Sequence, residues 1–246
     1  MTVETPSNVH LLKQAYVSIL MTPFSDKYED TWEEDTYWTA VGTLKARSKE
    51  LGFDDPFEVL KPAFFLESFE QIRESLMAGP PMFLRPGWTS PFIGAKVDVQ
   101  AVVVPLTLVN GGKFSGDERV VVFDFWATWC GPCVEESSKF SDLAEKHAGR
   151  VAIVGINNES VFFKQEYDLE KVKTFIAKRS HDFRYTIYVD SPENQAKEAL
   201  YAKAGYEAIP CVVLVVDGSV TYAGAPNESF EAFLQSGLKA TAAKDV

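Results

Sequence analysis

The first 90 residues carry an apolar pattern that is typical of helices. Apolar side chains recur there every three or four positions, which places them on one face of a helix. Glycine and proline are concentrated between Gly79 and Gly94, and this composition favours an irregular connector. We therefore predict a mainly helical N-terminal extension over residues 1–90. The apolar positions behind its predicted helices are Val9, Leu12, Tyr16, Ile19, Trp32, Trp38, Val41, Leu44, Phe65, Phe69, Ile72 and Leu76.

From residue 91 onward, short apolar runs alternate with amphipathic segments. The run from Arg119 to Trp126 is almost continuously apolar, which is typical of a strand buried on both faces of a sheet. The segment from Val97 to Val109 is rich in strand-forming residues, and Asn110-Gly111 after it predicts a hairpin ahead of that buried strand. The alternation indicates an α/β domain over residues 91–246, with helices on both faces of the sheet. Further strands are predicted at 151–157, 185–190, 211–216 and 220–222, and helices at 132–147, 168–180, 192–205 (capped by Ser191, with Pro192 in the first turn) and from Asn227 onward.

The charge of the chain limits the partners that it can bind. Its 246 residues include 35 acidic and 24 basic side chains, a net charge of -11. A negative surface repels nucleic acids and anionic membranes, so we expect neither as a partner. The first twelve residues lack the pattern of a signal or transit peptide, and no apolar stretch approaches the about 18 residues of a membrane span. These features predict a soluble, cytoplasmic protein.

Two of the three cysteines, Cys130 and Cys133, form a C-x-x-C motif. Three cysteines are too few for the disulfide framework of a small secreted protein. The motif occurs in zinc sites as well as in redox sites, but a structural zinc ion needs about four ligands. No second C-x-x-C is present, and His10, His147 and His181 lack paired ligand spacing. We therefore favour a redox site and expect no bound metal.

The position of the motif indicates how its two thiols act. Cys130 follows the buried strand and opens a predicted helix, where free N–H groups and the helix dipole stabilise a thiolate. A thiolate there can attack a substrate disulfide, and Cys133, one turn later, can displace the substrate from the mixed disulfide. Asp124 lies on the strand before the motif. Burial should raise the pKa of this carboxyl, so that it can accept the Cys133 proton.

The segment from Phe125 to Cys133, FWATWCGPC, resembles the active-site segment of the thioredoxin superfamily. Ala208-Ile209-Pro210, ahead of an apolar strand, resembles the family's cis-proline segment, and Asp217-Gly218 resembles the turn of its last hairpin. The additional helix and strand between residues 160 and 190, and the predicted hairpin, resemble the TlpA/ResA-like branch. The resemblance covers about residues 95–242. It implies a thioredoxin-like, three-layer α/β/α fold behind the helical extension.

This resemblance implies roles for the residues around the motif. Cys130 is the implied nucleophile, Cys133 the resolving thiol and Asp124 the buried proton acceptor. The backbone of Ile209, beside a cis Pro210, would pair with an extended substrate segment. The implied substrate-binding residues are Trp129, Gly131, Pro132, Ile209 and Pro210.

The chain departs from the plain thioredoxin pattern at three positions. Ser138 stands in place of the proline that kinks the helix. The lysine beside the buried acid falls on about Val154, so Asp124 is expected to be less ionised than in plain thioredoxins. Cys211 follows Pro210 directly and is either a third redox thiol or a buried strand residue. We favour the buried residue, because free cysteines are among the most buried side chains.

The combined pattern predicts a thiol-disulfide oxidoreductase that reduces disulfides of protein substrates. The chain lacks the Gly-x-Gly-x-x-Gly motif of a nicotinamide or flavin site, so we expect no cofactor and an external electron donor such as a thioredoxin reductase. One alternative is a thiol peroxidase, which is disfavoured because Phe123 and Ala127 replace the proline and hydroxyl residue that its chemistry uses. The other is an interaction module with a secondary redox site. In that alternative a partner binds the aromatic stripe Phe64, Phe65, Phe69 and Ile72, which we expect instead to pack against the α/β domain.

Overall fold

A computed structural model describes residues 88–161 and 168–243, together with the helical positions Gly42, Ala46 and Lys49. The chain divides into two units, Met1–Trp88 and Thr89–Val246. The second unit contains the fold and the site described below. Apart from those three positions, the helices predicted before residue 79 lie outside the described residues, as does the aromatic stripe from Phe64 to Ile72.

The described residues include one mixed sheet of six strands in the order β1-β4-β3-β2-β5-β6. β2, β3 and β4 are parallel, whereas β1, β5 and β6 each pair antiparallel with their neighbours. In this part of the chain, no helix is both long and apolar enough to cross a membrane. The strands are β1 (Thr107–Asn110), β2 (Val120–Trp126), β3 (Val151–Asn157), β4 (Thr186–Val189), β5 (Cys211–Val216) and β6 (Ser219–Gly224), and the helices are α1 (Val99–Val103), α2 (Gly131–Lys146), α3 (Leu169–Lys178), α4 (Lys197–Tyr201 continuing into Ala202–Ala204) and α5 (Glu228–Ala242).

The middle strand β2 is buried along its whole length. Its side chains alternate between the two faces of the sheet. Trp126 belongs to a core cluster that also contains Phe140 of α2 and Phe230 of α5. Phe125 faces the other way, and its ring centroid lies 5.6 Å from that of Tyr201 in α4. Helices therefore cover both faces, which confirms the predicted three-layer thioredoxin-like fold.

The long helices begin at side chains that accept hydrogen bonds from free backbone N–H groups. Asp168 accepts from the Lys171 N–H at the start of α3, and Asn227 caps α5 in the same way. Cys130 takes this position in α2, with proline in the first turn as predicted. The additional helix and strand predicted between residues 160 and 190 are present as α3 and β4.

The predicted hairpin ahead of β2 is wrong. Val99–Val103 is helical, because Asp98 caps this segment by accepting from the Ala101 N–H. Only Thr107–Asn110 is a strand, and it pairs with β4 at the edge of the sheet rather than with β2. The Asn110 amide donates to the Phe183 and Tyr185 carbonyl groups, which fixes the end of β1 beside β4.

The helix predicted to begin at Pro192 begins later. Helical backbone starts at Gln195 and contains a π-helical turn, Lys197–Tyr201. The Asp190 carboxylate accepts from two backbone N–H groups in the first turn of this helix, those of residues 196 and 197, and is therefore its main cap. Ser191, the predicted cap, accepts only from the Gln195 N–H.

Candidate active site

The two cysteines of the motif meet at the start of α2. Cys130 and Cys133 form a disulfide with an S–S distance of 1.98 Å and a Cα–Cα distance of 5.3 Å. The Cys130 sulfur also caps the helix, 3.2 Å from the Cys133 nitrogen. Both residues are buried. In the reduced protein, this helix N-terminus favours a negatively charged sulfur.

The segment before β5 faces the disulfide. The Ile209–Pro210 peptide bond is cis. The Ile209 carbonyl oxygen lies 3.8 Å from the Cys130 sulfur. This proximity follows from the sheet, since Cys211 at the start of β5 pairs with Phe125 near the end of β2. The structure therefore brings together Cys130, Ile209 and Pro210, and their roles in substrate binding stay a prediction.

An exposed surface lies next to the disulfide. The Trp129 side chain is 37% exposed, and its indole N–H donates to the Glu159 carbonyl oxygen over 3.2 Å. Gly131 and Pro132 are also exposed. These three predicted substrate-binding residues flank the buried cysteines, so that a polypeptide could contact them as it approaches the disulfide.

Asp124 lies inside the sheet, on the strand that leads to the motif. Asp124 is 1% exposed, and its Oδ1 atom has no hydrogen-bond partner among the described residues. The pKa of Asp124 is raised from 3.8 to about 7, mainly by burial. The hydrogen bond from Tyr185 lowers this pKa, and the negative charge of Glu136 raises it. The carboxyl is therefore buried, as predicted, and can exchange a proton near neutral pH.

The partner of Asp124 is a residue that sequence reasoning missed. The Tyr185 hydroxyl donates to Asp124 Oδ2 over 2.9 Å, and both groups are buried. Val154, the position that matches the lysine of plain thioredoxins, pairs with Phe123 and is fully buried. No local signal distinguishes Tyr185, because an aromatic residue at the start of a strand is ordinary.

A second missed residue, Glu159, holds the loop before the motif. Its carboxylate accepts from the Thr128 N–H and from the Thr128 hydroxyl, each over 2.7 Å. It also accepts from the Asn157 amide over 2.9 Å and pairs with Lys171 over 3.2 Å. The polar residues that directly follow the apolar strand β3 are a sequence signal that could have pointed to this contact.

Cys211 is fully buried and its thiol is free. Burial raises the pKa of this thiol far above its ordinary value of 9.0. This environment matches the favoured prediction of a buried strand residue. Within residues 88–161 and 168–243, no three residues among His, Cys, Asp and Glu are placed to hold a metal ion.

A sequence profile described as Redoxin matches residues 97–236. The matched segment contains Cys130, Cys133 and Asp124, as well as Ile209 and Pro210. It therefore spans every candidate site residue and most of the second unit.

The chain is also similar to thioredoxins and to solved structures of related proteins. Thioredoxin-1 of Drosophila melanogaster is 31% identical over 68 residues, which cover 27% of this chain and 64% of that protein. Thioredoxin-like protein YneN of Bacillus subtilis is 29% identical over 101 residues, which cover 40% of this chain and 56% of that protein. The chain thus spans less than two thirds of the length of these relatives. A thiol-disulfide isomerase from Corynebacterium glutamicum aligns with a TM-score of 0.43 at 20% identity over 53% of this chain and 90% of its own, and StoA from Bacillus subtilis with a TM-score of 0.42 at 20% identity over 58% and 98%.

Proposed function

The chain belongs to the Redoxin family, and on that premise we propose that it reduces disulfides of protein substrates through Cys130 and Cys133. The observation that carries this proposal is the Cys130–Cys133 disulfide at the N-terminus of α2. Two cysteines at this spacing and in this position can cycle between dithiol and disulfide without a large movement of the backbone.

The proposed reaction transfers two electrons from the reduced pair to the substrate. The Cys130 thiolate attacks one sulfur of a substrate disulfide and forms a mixed disulfide, and the other substrate sulfur leaves as a thiolate that takes up a proton. Cys133 then loses its proton and attacks the Cys130 sulfur, which releases the second substrate sulfur as a thiol. The substrate gains two electrons and two protons, and the enzyme is left with the Cys130–Cys133 disulfide.

Asp124 is the proposed acceptor of the Cys133 proton. With a pKa of about 7, its carboxyl is present in both protonation states near neutral pH. The Oδ1 atom has an open position for a proton, since no group in the described part of the chain donates to it. A buried acid with these two properties is suited to general base catalysis.

The proposed substrate is an extended polypeptide segment. The half-buried Ile209 backbone is close enough to the Cys130 sulfur to align such a segment by main-chain hydrogen bonds. Trp129, Gly131, Pro132 and Pro210 would contact its side chains. The net charge of -11 disfavours nucleic acids and anionic membranes as further partners.

The proposed direction is reduction, in the cytoplasm. Thioredoxin has a reduction potential of about -270 mV, and the same Gly-Pro pair separates the cysteines here. Each cycle consumes two electrons, so an external donor such as a thioredoxin reductase must restore the dithiol. A cytosolic thiol pool would also keep the buried Cys211 reduced.

Turnover and trapping test the function together. We expect the chain to reduce insulin with dithiothreitol, or with thioredoxin reductase and NADPH, and we expect Cys130→Ser to fall to the rate without enzyme. Cys133→Ser should retain substrates as mixed disulfides on Cys130, identified by mass spectrometry, because the resolving thiol is missing. Cys211→Ala is the matched control and should keep the wild-type rate.

Three results would contradict the proposal. One is a wild-type rate no faster than buffer with both electron sources. Another is equal trapping by Cys133→Ser and by a Cys130→Ser/Cys133→Ser double variant. The third is hydrogen peroxide consumption that outpaces disulfide reduction, which would favour the thiol peroxidase.

A further inference from the structure

The Asp124 carboxyl is held at one oxygen and open at the other. Its Oδ2 atom accepts from the Tyr185 hydroxyl over 2.9 Å, whereas Oδ1 is buried with no hydrogen-bond partner in the described part of the chain. A carboxyl with both oxygens free could rotate about its Cβ–Cγ bond. The hydrogen bond at Oδ2 fixes that rotation, so that the open oxygen keeps one direction.

The sheet places the Tyr185 ring at this contact. In β3, Gly155 pairs with Asp124 of β2 and with Ile187 of β4. A Cβ at position 155 would lie 2.9 Å from Tyr185 Cε2, so the ring occupies the space that a larger residue in β3 would fill. The Tyr185 ring also packs against Phe140 and Phe183, with centroid distances of 6.2 and 6.4 Å. The hydroxyl is therefore fixed by packing from both α2 and the sheet.

A contact from α2 connects this hydroxyl to the helix of the dithiol. Ser137 lies one turn after Cys133, and its hydroxyl is 3.0 Å from the Cys133 carbonyl oxygen. The Ser137 hydroxyl also lies close enough to the Tyr185 hydroxyl to influence its pKa. Tyr185 thus touches both the proposed proton acceptor and the turn of α2 that carries the proton donor.

We propose that Tyr185 is a positioning residue for the second chemical step, in which its hydroxyl holds Asp124 by Oδ2 and leaves Oδ1 to receive the Cys133 proton. This inference rests on the proposed function. In that step the Cys133 S–H bond breaks, its proton goes to Asp124, and the sulfur uses the remaining electron pair to bond to Cys130. The Cys130 bond to the substrate breaks, and the substrate sulfur leaves with those electrons. Tyr185 itself gains and loses no proton.

The charges around Asp124 determine the direction of the expected effect. Tyr185 hydrogen-bonds to the carboxyl, Glu136 of α2 adds a like charge, and the Asp124 charge in turn acts on the buried Cys211 thiol of β5. Burial and the Asp124 charge raise the pKa of Tyr185 well above its ordinary value, so the hydroxyl stays a donor at physiological pH. The tyrosine hydrogen bond lowers the pKa of Asp124, and its loss must raise it.

The test compares Tyr185→Phe with Tyr188→Phe. Tyr188 is a buried tyrosine of the same strand region whose hydroxyl accepts from the Phe114 N–H instead of contacting Asp124. In the oxidised protein neither Cys130 nor Cys133 titrates, so carboxyl carbon NMR follows Asp124, assigned with Asp124→Asn. We expect Tyr185→Phe to move the midpoint of this titration upward by about one pH unit, the size of one hydrogen bond to a charged group. Tyr188→Phe should leave the midpoint unchanged.

The same shift should appear in the rate of substrate release. We expect the pH midpoint of dye-disulfide reduction by Tyr185→Phe to rise by the same amount, with Tyr188→Phe matching wild type. Gly155→Ala should disturb the contact between Tyr185 and Asp124 from β3, because its methyl group must displace the Tyr185 ring. This variant should therefore move both midpoints in the same direction.

An unchanged carboxyl titration in folded Tyr185→Phe would overturn the inference, and so would a shifted titration without a shifted rate profile. Loss of the proposed function is recognised separately, by wild-type protein that reduces no disulfide at any pH.

Discussion

The buried carboxyl of Asp124 makes the folded protein sensitive to pH. The folded chain holds the Asp124 proton up to about pH 7, whereas an unfolded chain releases it near 3.8. A group whose pKa is raised on folding contributes its full stability below the unfolded value and loses it as the pH rises through the folded value. Asp124 therefore destabilises the folded state under the conditions in which it is ionised for catalysis.

We expect Asp124→Asn to stabilise the oxidised protein at pH 8 but not at pH 3.5. The free energy of unfolding should rise by up to about 4 kcal/mol at the higher pH, because roughly three pH units separate the two pKa values. Denaturant unfolding at both pH values measures the difference. Asp117→Asn, at an exposed position, is the control and should change neither value. Equal stabilisation at both pH values would contradict a buried ionisable carboxyl.

Some residues of the site could be predicted because local rules place them. A C-x-x-C motif after a buried strand fixes Cys130 at a helix start, and Asp124 follows from the strand itself. Tyr185 lies 61 residues from Asp124 along the chain, and their contact depends on β4 being the neighbour of β3. Because no local pattern specifies that neighbour, the sequence could not indicate the tyrosine.

The loop between β2 and α2 is tied to the end of β3. Both carboxylate oxygens of Glu159 accept from Thr128, one from its N–H and one from its hydroxyl. The Glu159 carbonyl also holds the Trp129 indole. The loop thus enters α2 with a defined path, and the Cys130 sulfur is set where the helix begins.

We expect Glu159→Ala to lower the free energy of unfolding by about 3 kcal/mol, because it leaves the buried Asn157 amide and the part-buried N–H and hydroxyl of Thr128 without their acceptor. The rate of insulin reduction should fall as well, since the loop that positions Cys130 loses its anchor. Glu135→Ala is the matched control, as Glu135 is exposed on α2, and should change stability by less than about 0.5 kcal/mol. A Glu159→Ala protein as stable as the control would show that the loop is held by other contacts.

Strands with a continuous apolar run could be predicted from the sequence, whereas the pairing of strands within the sheet could not. The predicted strand 151–157 coincides with β3, since a short apolar run that is rich in β-branched residues is typical of a strand buried on both faces of a sheet. The Asn110-Gly111 pair indicated a turn, and Gly111 does adopt a φ of 71°. A turn signal does not determine with which strand the preceding strand pairs. β1 lies beside β4 at the edge of the sheet, and this pairing depends on the assembly of the whole sheet.

The sheet as a whole protects Cys211. This residue begins β5, which is hydrogen-bonded to β2 on one side and β6 on the other, and it is fully buried. In the oxidised protein Cys130 and Cys133 are joined, so Cys211 is the one free thiol of a chain with three cysteines. Separation of β5 from its neighbours would disrupt the core, and exposure of this thiol therefore requires global unfolding.

We expect a thiol reagent to label oxidised protein only as it unfolds. The denaturant midpoint of Cys211 labelling should coincide with that of the unfolding of the second unit, Thr89–Val246, measured by circular dichroism, because one cooperative transition of this unit controls both. Val104→Cys is the control, since residue 104 is 82% exposed and its thiol should react in native buffer. Native labelling of Cys211 as fast as that of the control would show that β5 opens on its own.

The close approach of Gly155 and Tyr185 has a consequence for how this sequence can diverge. A side chain at position 155 would meet Tyr185 Cε2 at 2.9 Å and Ile187 Cγ1 at 3.2 Å. The cost of a methyl group in β3 is therefore set by the residue across the sheet, which is epistasis in its simplest steric form. A larger residue enters position 155 at low cost only after position 185 has become smaller, and a tyrosine enters position 185 without displacement of its ring only while position 155 is glycine. The order of the two substitutions is constrained even though neither residue belongs to the C-x-x-C motif.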